Sequence, residues 1–169
     1  MIPEFGIKRD NEERRNGGCG VVFDPATQKY AVGKQTKDGL LRLFSGGVTP
    51  DEDIQVGILR EVTEESGLYD FGHVEKIAEA VVHFYNPLKN LNRVGNATCF
   101  LVMLKSVQLV DTKLEEHEKF SLHWTTAEEI IADWESRNEN KDFDHWIYFF
   151  KMAQERIGEI YFKKTPSHI

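Results

Sequence analysis

The chain has 169 residues, of which 40% are hydrophobic and 29% are charged, and its formal net charge is −7. This length suits one domain, predicted over residues 1–169, and the composition excludes an intrinsically disordered chain. The negative charge argues against long nucleic acid as a partner. A small phosphorylated ligand is still compatible with it, because a metal ion can bind such a ligand locally.

No apolar run approaches the roughly 18–20 residues that a membrane-spanning helix needs, so we expect no membrane partner. The N-terminal residues do not combine a charged segment with an apolar one, which predicts no secretory signal and a cytoplasmic location. Cys19 and Cys99 lie in separate apolar stretches and are predicted to be two buried thiols.

Residues 1–17 are polar and charged and predict an exposed lead-in. Apolar runs predict strands over residues 18–23 and 29–33, joined by a turn, and a third strand over 40–44 that stops at Ser45-Gly46-Gly47. A helical period over 53–66 ends at Gly67. Further strands are predicted over 74–85, 98–105 and 120–124, with a polar loop over 86–96, followed by helices over 126–135 and 142–160.

This element order predicts an α/β (α+β) fold, a sandwich of helices on a mixed β-sheet. On the last helix, a core-facing stripe is predicted, formed by Phe143, Trp146 or Ile147, Phe150 and Ile157. Tyr148 and Phe149 fall outside that stripe. They indicate either a dimer contact or a helix that is buried on most sides, so both a monomer and a homodimer are compatible with the sequence.

Three glutamates, Glu61, Glu64 and Glu65, lie on one side of the predicted helix, within one turn of each other. Like charges so placed repel each other, and Glu65 falls close to the apolar stripe of the helix. A buried carboxylate is costly unless a positive charge pairs with it. Oxygen ligands for Mg²⁺ or Mn²⁺ would meet that need, whereas a solvated acidic helix is the alternative.

Residues 46–68 read GGVTPDEDIQVGILREVTEESGL. This segment resembles the Nudix box, G-x5-E-x7-R-E-U-x-E-E-x-G-U with U an aliphatic residue, and every specified position is filled. The order of the flanking strands also resembles that of the Nudix hydrolase family. One departure is Ser45, which stands where many members have a proline; it changes the stiffness of the loop and not the ligand set.

The resemblance implies a pyrophosphohydrolase that splits a nucleoside diphosphate linked to another moiety. It implies a metal site, with Mg²⁺ or Mn²⁺ as cofactor, formed by Gly46 through its carbonyl, Glu61, Glu64, Glu65 and one glutamate from a later loop. Glu118 is the candidate for that later residue, with Glu115 or Glu116 as alternatives. Arg60 and Glu52 would orient the carboxylates. The general base stays open among Glu61, Glu64 and Glu118.

The substrate is less well defined by the sequence. Tyr85 lies 17 residues after Leu68, a position that the family associates with dinucleoside polyphosphate hydrolases. Lys89 and Arg93 could contact phosphates from the predicted loop, and Arg42 and Phe44 could flank a phosphate and a nucleobase. Substrates considered are a dinucleoside polyphosphate or a (deoxy)nucleoside triphosphate, with ADP-ribose or a nucleotide sugar as alternatives. A ligand-sensing module without turnover is the alternative from another functional class.

Overall fold

The computed structural model describes residues 1–161, which form one mixed nine-stranded sheet with helices packed on both faces. The strands are β1 (Glu4–Phe5), β2 (Glu13–Arg14), β3 (Gly17–Asp24), β4 (Lys29–Gln35), β5 (Leu41–Arg42), β6 (Phe44–Gly47), β7 (Phe71–Asn86), β8 (Leu91–Leu104) and β9 (Phe120–Thr125). The helices are α1 (Ile54–Ser66), α2 (Ala127–Ser136) and α3 (Asp144–Tyr161). The predicted α/β (α+β) sandwich is confirmed.

The sheet runs in the order β1-β7-β8-β3-β4-β5, with β6 paired to β3 and β9 paired to β4. Strand β3 lies parallel to β8 and antiparallel to β6, so its first residues have neighbours on both sides. Gly17 and Gly18 of β3 face Gly47 and Gly46 of β6. This junction places the glycine turn of the box beside the centre of the sheet.

Alternate residues of the sheet supply two separate cores, as the period of two along a strand requires. Val21 and Phe23 belong to the core beneath α2 and α3, whereas Val22 belongs to the core beneath α1. Trp134 of α2 is fully buried, and its indole Nε1–H donates to the carbonyl of Leu41 at 2.7 Å. The two faces therefore fix α1 on one side of the sheet and the other two helices on the opposite side.

Strands β7 and β8 form one long hairpin, and the polar loop predicted over residues 86–96 is wrong for most of its length. Strand β8 begins at Leu91, so only residues 87–90 separate the two strands. The polar residues of this stretch are held in pairs across the hairpin, such as Phe84 with Arg93 and Tyr85 with Asn92. Main-chain pairing on both sides of β8 stabilises the strand despite its polar composition.

Most side chains of residues 1–17 are exposed, but two short segments of this predicted lead-in belong to the sheet. Strands β1 and β2 add to the sheet in parallel, β1 along β7 and β2 along β8. On α3, Phe149 is fully buried, which favours the predicted alternative of a broadly buried helix over a dimer contact at this residue. That helix is buried on most sides. Cys19 and Cys99 are buried free thiols, as predicted.

His83 of β7 holds the lead-in to the sheet through two carboxylates. Its Nδ1 lies 2.7 Å from Glu12 Oε2, and its Nε2 lies 2.5 Å from Glu4 Oε1. The His83 side chain is only 6% exposed. Burial lowers the pKa of His83, but the hydrogen bonds to Glu4 and Glu12 outweigh it, and the net pKa is raised. These two contacts favour the protonated imidazole.

We expect His83→Gln to destabilise the fold by about 1 kcal/mol at pH 5.5 and by less at pH 8.5. A raised folded pKa gives stability that is fully present below the ordinary histidine value of 6.5 and is lost as pH rises through the folded pKa. Urea unfolding at the two pH values measures this difference. His73→Gln is the control, because His73 makes a similar but exposed pair with Glu75. An equal loss of stability for His83→Gln at both pH values would contradict an ionic contact of protonated His83 with Glu4 and Glu12.

Candidate active site

Helix α1 carries the glutamates of the box and has well-defined ends. Asp53 caps its first turn by accepting the Val56 N–H at 3.0 Å. Gly67 ends the helix with φ +83°, a left-handed conformation that glycine adopts without strain, and its N–H donates to the Thr63 carbonyl. Ile58 and Val62 are fully buried against the sheet. That packing turns the neighbouring face of α1, with Glu61 and Glu65, towards the glycine turn.

Glu65 is a buried carboxyl group, only 3% exposed. Its Oε1 accepts the Ser45 N–H at 2.8 Å. A proline at this position would have no N–H to donate, so the departure at Ser45 supplies Glu65 with a partner. Burial raises the pKa of Glu65 to about 10, with the neighbouring carboxylate of Glu118 adding to the rise. In the absence of a cation, Glu65 is therefore protonated at neutral pH.

The side chain of Glu118, from the loop before β9, contacts the carboxyl group of Glu65. Burial alone would raise the pKa of Glu118, but hydrogen bonds from Glu65 and from the Glu115 N–H lower it overall. The Glu115 N–H donates to Glu118 Oε1 at 2.9 Å. Glu65 and Glu118 consequently share one proton, with Glu65 as the donor and Glu118 as the carboxylate.

Glu61 lies against the glycine turn. A Cβ on Gly46 would stand 2.7 Å from Glu61 Oε1, so a larger residue there would have to displace the Glu61 carboxyl group. Burial raises the pKa of Glu61; Arg60 opposes this rise, whereas Glu64, Glu118 and Glu115 reinforce it. Glu61, Glu65 and Glu118 thus bring three carboxyl groups together at one partly buried place.

Arg60 links the remaining acidic residues of the box. Its Nη2 donates to Glu52 Oε1 at 2.7 Å, and its Nη1 lies 3.3 Å from Glu61 and 3.5 Å from Glu64. Arg60 thus links Glu52 to Glu61 and Glu64, and the orienting role of Arg60 and Glu52 stays a prediction. Glu64 points towards Arg60 and does not line the cleft described next, so its roles as ligand and base stay predictions.

A cleft of about 870 Å³ opens from the three carboxyl groups. Arg42, Tyr85, Lys89 and Arg93 line it, and their contact with substrate stays a prediction. Phe44 does not line it: its ring is 1% exposed in the core beneath α1, so the predicted contact with a nucleobase is wrong. Arg42 instead lies over the ring of Phe120, 5.4 Å from its centroid.

Several further residues line the cleft that the sequence did not single out: Arg9, Arg15, Phe84, His117, His145, Trp146 and Phe149. They come from the lead-in, from β7, from the loop before β9 and from the first turns of α3. His145 packs edge-on against Phe149, with ring centroids 6.2 Å apart, and burial lowers its pKa to about 4. No local motif marks these residues, because only the tertiary fold brings them to the box.

The donor chemistry fits a hard divalent cation. Three carboxyl groups and the Gly46 turn meet at the cleft, and hard cations such as Mg²⁺ prefer oxygen ligands. Within residues 1–161, no three histidine, cysteine, aspartate or glutamate side chains stand arranged as a ready-made metal cage.

The family profile described as the NUDIX domain matches residues 14–147 of this chain. The chain belongs to the NUDIX family. With the complete box, this membership assigns it to the pyrophosphohydrolases, enzymes that act on phosphoanhydrides, and it confirms the predicted enzyme class. Among curated proteins, none matches the chain. Across residues 1–161, no helix is long and apolar enough to cross a membrane.

Solved NUDIX structures share the fold at low sequence identity. A NUDIX hydrolase from Nitrosomonas europaea superposes with a TM-score of 0.58 and 17% identity over 87% of this chain and 90% of that chain. The NUDIX domain of Shewanella oneidensis NrtR, complexed with ADP ribose, gives 0.58 and 16% over 86% and 90%. The Ap4A hydrolase of C. elegans gives 0.53 and 11% over 86% and 99%.

Proposed function

We propose that this NUDIX protein is a metal-dependent pyrophosphohydrolase that splits a nucleoside diphosphate linked to another moiety. One observation carries the proposal: the buried carboxyl group of Glu65 stands beside Glu118 and Glu61 at the end of a cleft. Gathering three carboxyl groups around a buried one costs free energy unless a cation joins them. A divalent cation, Mg²⁺ or Mn²⁺, offsets that cost when it is bound.

Glu61, Glu65 and Glu118 would hold the metal, together with the Gly46 carbonyl and with Glu64 if its side chain turns from Arg60. When bound, the metal neutralises the phosphate oxygens and lowers the pKa of an attacking water. Arg60 keeps Glu61 oriented through its own ion pair with Glu52. No covalent protein intermediate is needed, because positioning and charge neutralisation lower the barrier.

The proton of the attacking water needs a carboxylate that is ionised at neutral pH. Glu118 has a lowered pKa and is the carboxylate of the shared pair, which favours it over Glu61, whose pKa is raised. Glu64 remains the third candidate. A cation that binds there would displace the proton of Glu65, and the exposed side chains of Glu115 and His117 line the same cleft.

The cleft, with its volume of about 870 Å³ and its polar and apolar lining residues, can hold a nucleotide with a second group attached. Its carboxyl end would hold the anhydride, and the aromatic side chains of Phe84 and Trp146 provide apolar faces for a nucleobase. Relatives of the same fold include one complexed with ADP ribose and one named for Ap4A. A small phosphorylated nucleotide is therefore the proposed substrate; a cytoplasmic location and a monomer or homodimer stay predictions.

A substrate panel tests the proposal. The protein is incubated with Mg²⁺ or Mn²⁺ and with dinucleoside polyphosphates, nucleoside triphosphates, ADP-ribose and nucleotide sugars, and phosphate release is followed with added phosphatase or pyrophosphatase. We expect turnover of at least one compound, abolished by EDTA. Tight binding of a panel member without turnover would instead support the ligand-sensing module and would contradict the proposed activity.

Tyr85 gives a test of the second group on the substrate. Its side chain is 44% exposed at the rim of the cleft, and its hydroxyl donates to Asn90 Oδ1 at 2.6 Å. An exposed ring at the rim can stack on a second base that a mononucleotide lacks. We expect Tyr85→Ala to raise KM for a dinucleoside polyphosphate about fivefold and KM for a nucleoside triphosphate less than twofold. An equal change in both would remove Tyr85 from the specificity of the enzyme.

A further inference from the structure

A group of arginines faces the cleft at the side formed by the lead-in and the β7–β8 hairpin. We call Arg9, Arg15 and Arg93 the basic wall; all three line the cleft that begins at the carboxyl groups. Two of them come from residues 1–17, which the sequence alone marked only as a polar segment. The proposed cation and attacking water occupy the carboxyl end of the cleft. They leave Arg9 and Arg15 without a role, and Arg93 has only the phosphate contact predicted from the sequence.

Arg93 is a buried cation with an incomplete set of partners. The residue is 8% exposed, and its Nε is buried with no hydrogen-bond partner. The one carboxylate paired with it within the described residues is Glu13, whose Oε1 lies 3.7 Å from Nη2 and whose side chain is 55% exposed. A buried guanidinium N–H without an acceptor is costly. Because Arg93 also lines the cleft, an anion held there would add an acceptor for its guanidinium group.

Arg15 stands next to Arg93 on the same face of the sheet. Glu13 of β2 lies opposite Arg93 of β8, and the Arg15 N–H then donates to the Val94 carbonyl at 2.9 Å. Side chains alternate along a strand, so Arg15 shares the face of Glu13 and Arg93. Arg14, between them, points to the other face and donates to Asn96.

The guanidinium of Arg15 also packs directly on the glycine turn. A Cβ on Gly47 would stand 2.6 Å from Arg15 Cζ, so the guanidinium occupies the space that any larger residue would need. Gly46, the next residue, has the Glu61 carboxyl group against it. Arg15 therefore bridges the distance between the carboxyl end of the cleft and the buried guanidinium of Arg93.

We propose that Arg15 and Arg93 form a second phosphate subsite, which binds a phosphate beyond the two joined by the cleaved anhydride. The preferred substrates are then polyphosphates with three or more phosphates in a row, rather than compounds with a single diphosphate. Guanidinium groups bind phosphate oxygens with two parallel hydrogen bonds, which suits adjacent arginines to a phosphate chain. This inference rests on the proposed function for the position of the cleaved bond.

The binding of inorganic tripolyphosphate in EDTA tests the subsite without turnover. Isothermal titration compares the unchanged protein with Arg15→Gln and Arg93→Gln, and Arg14→Gln is the matched control on the opposite face. We expect about tenfold weaker binding for the first two variants and less than a twofold change for Arg14→Gln. Because Arg93 is buried, the thermal stability of Arg93→Gln is measured first; Arg15 is exposed, so Arg15→Gln decides the outcome if the other variant unfolds.

The ratio of kcat/KM for Ap4A to that for ADP-ribose gives the second measurement. We expect this ratio to exceed one in the unchanged protein and to fall about tenfold in Arg15→Gln. Equal tripolyphosphate binding by the unchanged protein and Arg15→Gln would overturn the subsite, whatever the enzyme hydrolyses. Weakened binding together with no hydrolysis of any substrate would refute the proposed function and leave the subsite standing.

Discussion

Glu65→Gln is expected to lower kcat by about 10³-fold while leaving the fold intact. A bound metal contributes several kcal/mol to the stabilisation of charge in the transition state, and an amide is a poor ligand in place of a carboxylate. The glutamine can keep both local contacts, because its oxygen can accept the Ser45 N–H and its amide can donate to Glu118. Steady-state kinetics with saturating Mn²⁺ measures the loss.

The same variant, although it lowers kcat, is expected to stabilise the metal-free protein. Burial raises the pKa of Glu65 to about 10, so the folded chain binds a proton that the unfolded chain releases near pH 4.5. Stability therefore falls as pH rises from about 4.5 towards 10, and a glutamine removes this loss. We expect Glu65→Gln in EDTA to be more stable at pH 8, on the order of 2 kcal/mol, and little changed at pH 4.

Asp70→Asn is the control for these measurements, because Asp70 lies outside the cleft and contacts Ser106. It should retain normal kcat. If Glu65→Gln kept activity within threefold of the unchanged protein, Glu65 would not be a metal ligand. If it lost stability in EDTA at pH 8, the carboxyl group would be charged in the folded chain, against its assigned protonation.

Glu118→Gln is expected to lower kcat by about 10²-fold. Glu118 is the ionised member of the shared pair, and it is the carboxylate best placed to accept a proton from the attacking water or to hold the cation. A glutamine side chain does not accept a proton at neutral pH, and it binds a cation less well than a carboxylate does. Steady-state kinetics is followed by a metal titration, which separates the two roles: a lost ligand raises the metal concentration needed, whereas a lost base leaves it unchanged.

Glu116→Gln provides the matched control, since Glu116 lies two residues away in the same loop, is exposed, and does not line the cleft. Its kcat should stay within twofold of the unchanged protein. The sequence left Glu115 and Glu116 as alternatives to Glu118. A larger loss in Glu116→Gln than in Glu118→Gln would transfer the assignment to that alternative and contradict the geometry at Glu65.

The box and its helix could be predicted because they are local. Spacing within one helix determines that Glu61 and Glu65 share a face, and a glycine at position 67 ends the helix wherever the rest of the chain lies. The core strands were also predictable, because apolar runs such as residues 98–104 have few alternatives to burial in a sheet.

The remainder depended on contacts between distant parts of the chain. Strands of two residues, such as β1 and β2, have no pattern of their own and form only because β7 and β8 offer free edges. Arg15 reaches the site only through that pairing. The alternation of side chains along a strand predicts that Phe44 shares a face with Arg42, and hence a contact with substrate. The sequence does not show that α1 covers the face on which Phe44 lies.

Proton release on metal binding tests the central claim most directly. Mn²⁺ is titrated into the metal-free protein at pH 7 by calorimetry in two buffers of different ionisation enthalpy, with Glu65→Gln in parallel. We expect binding below millimolar concentration with release of about one proton, supplied by the Glu65–Glu118 pair, and both the affinity and the proton release should be lost in the variant. No binding at millimolar Mn²⁺, or equal binding by the variant without proton release, would contradict the account.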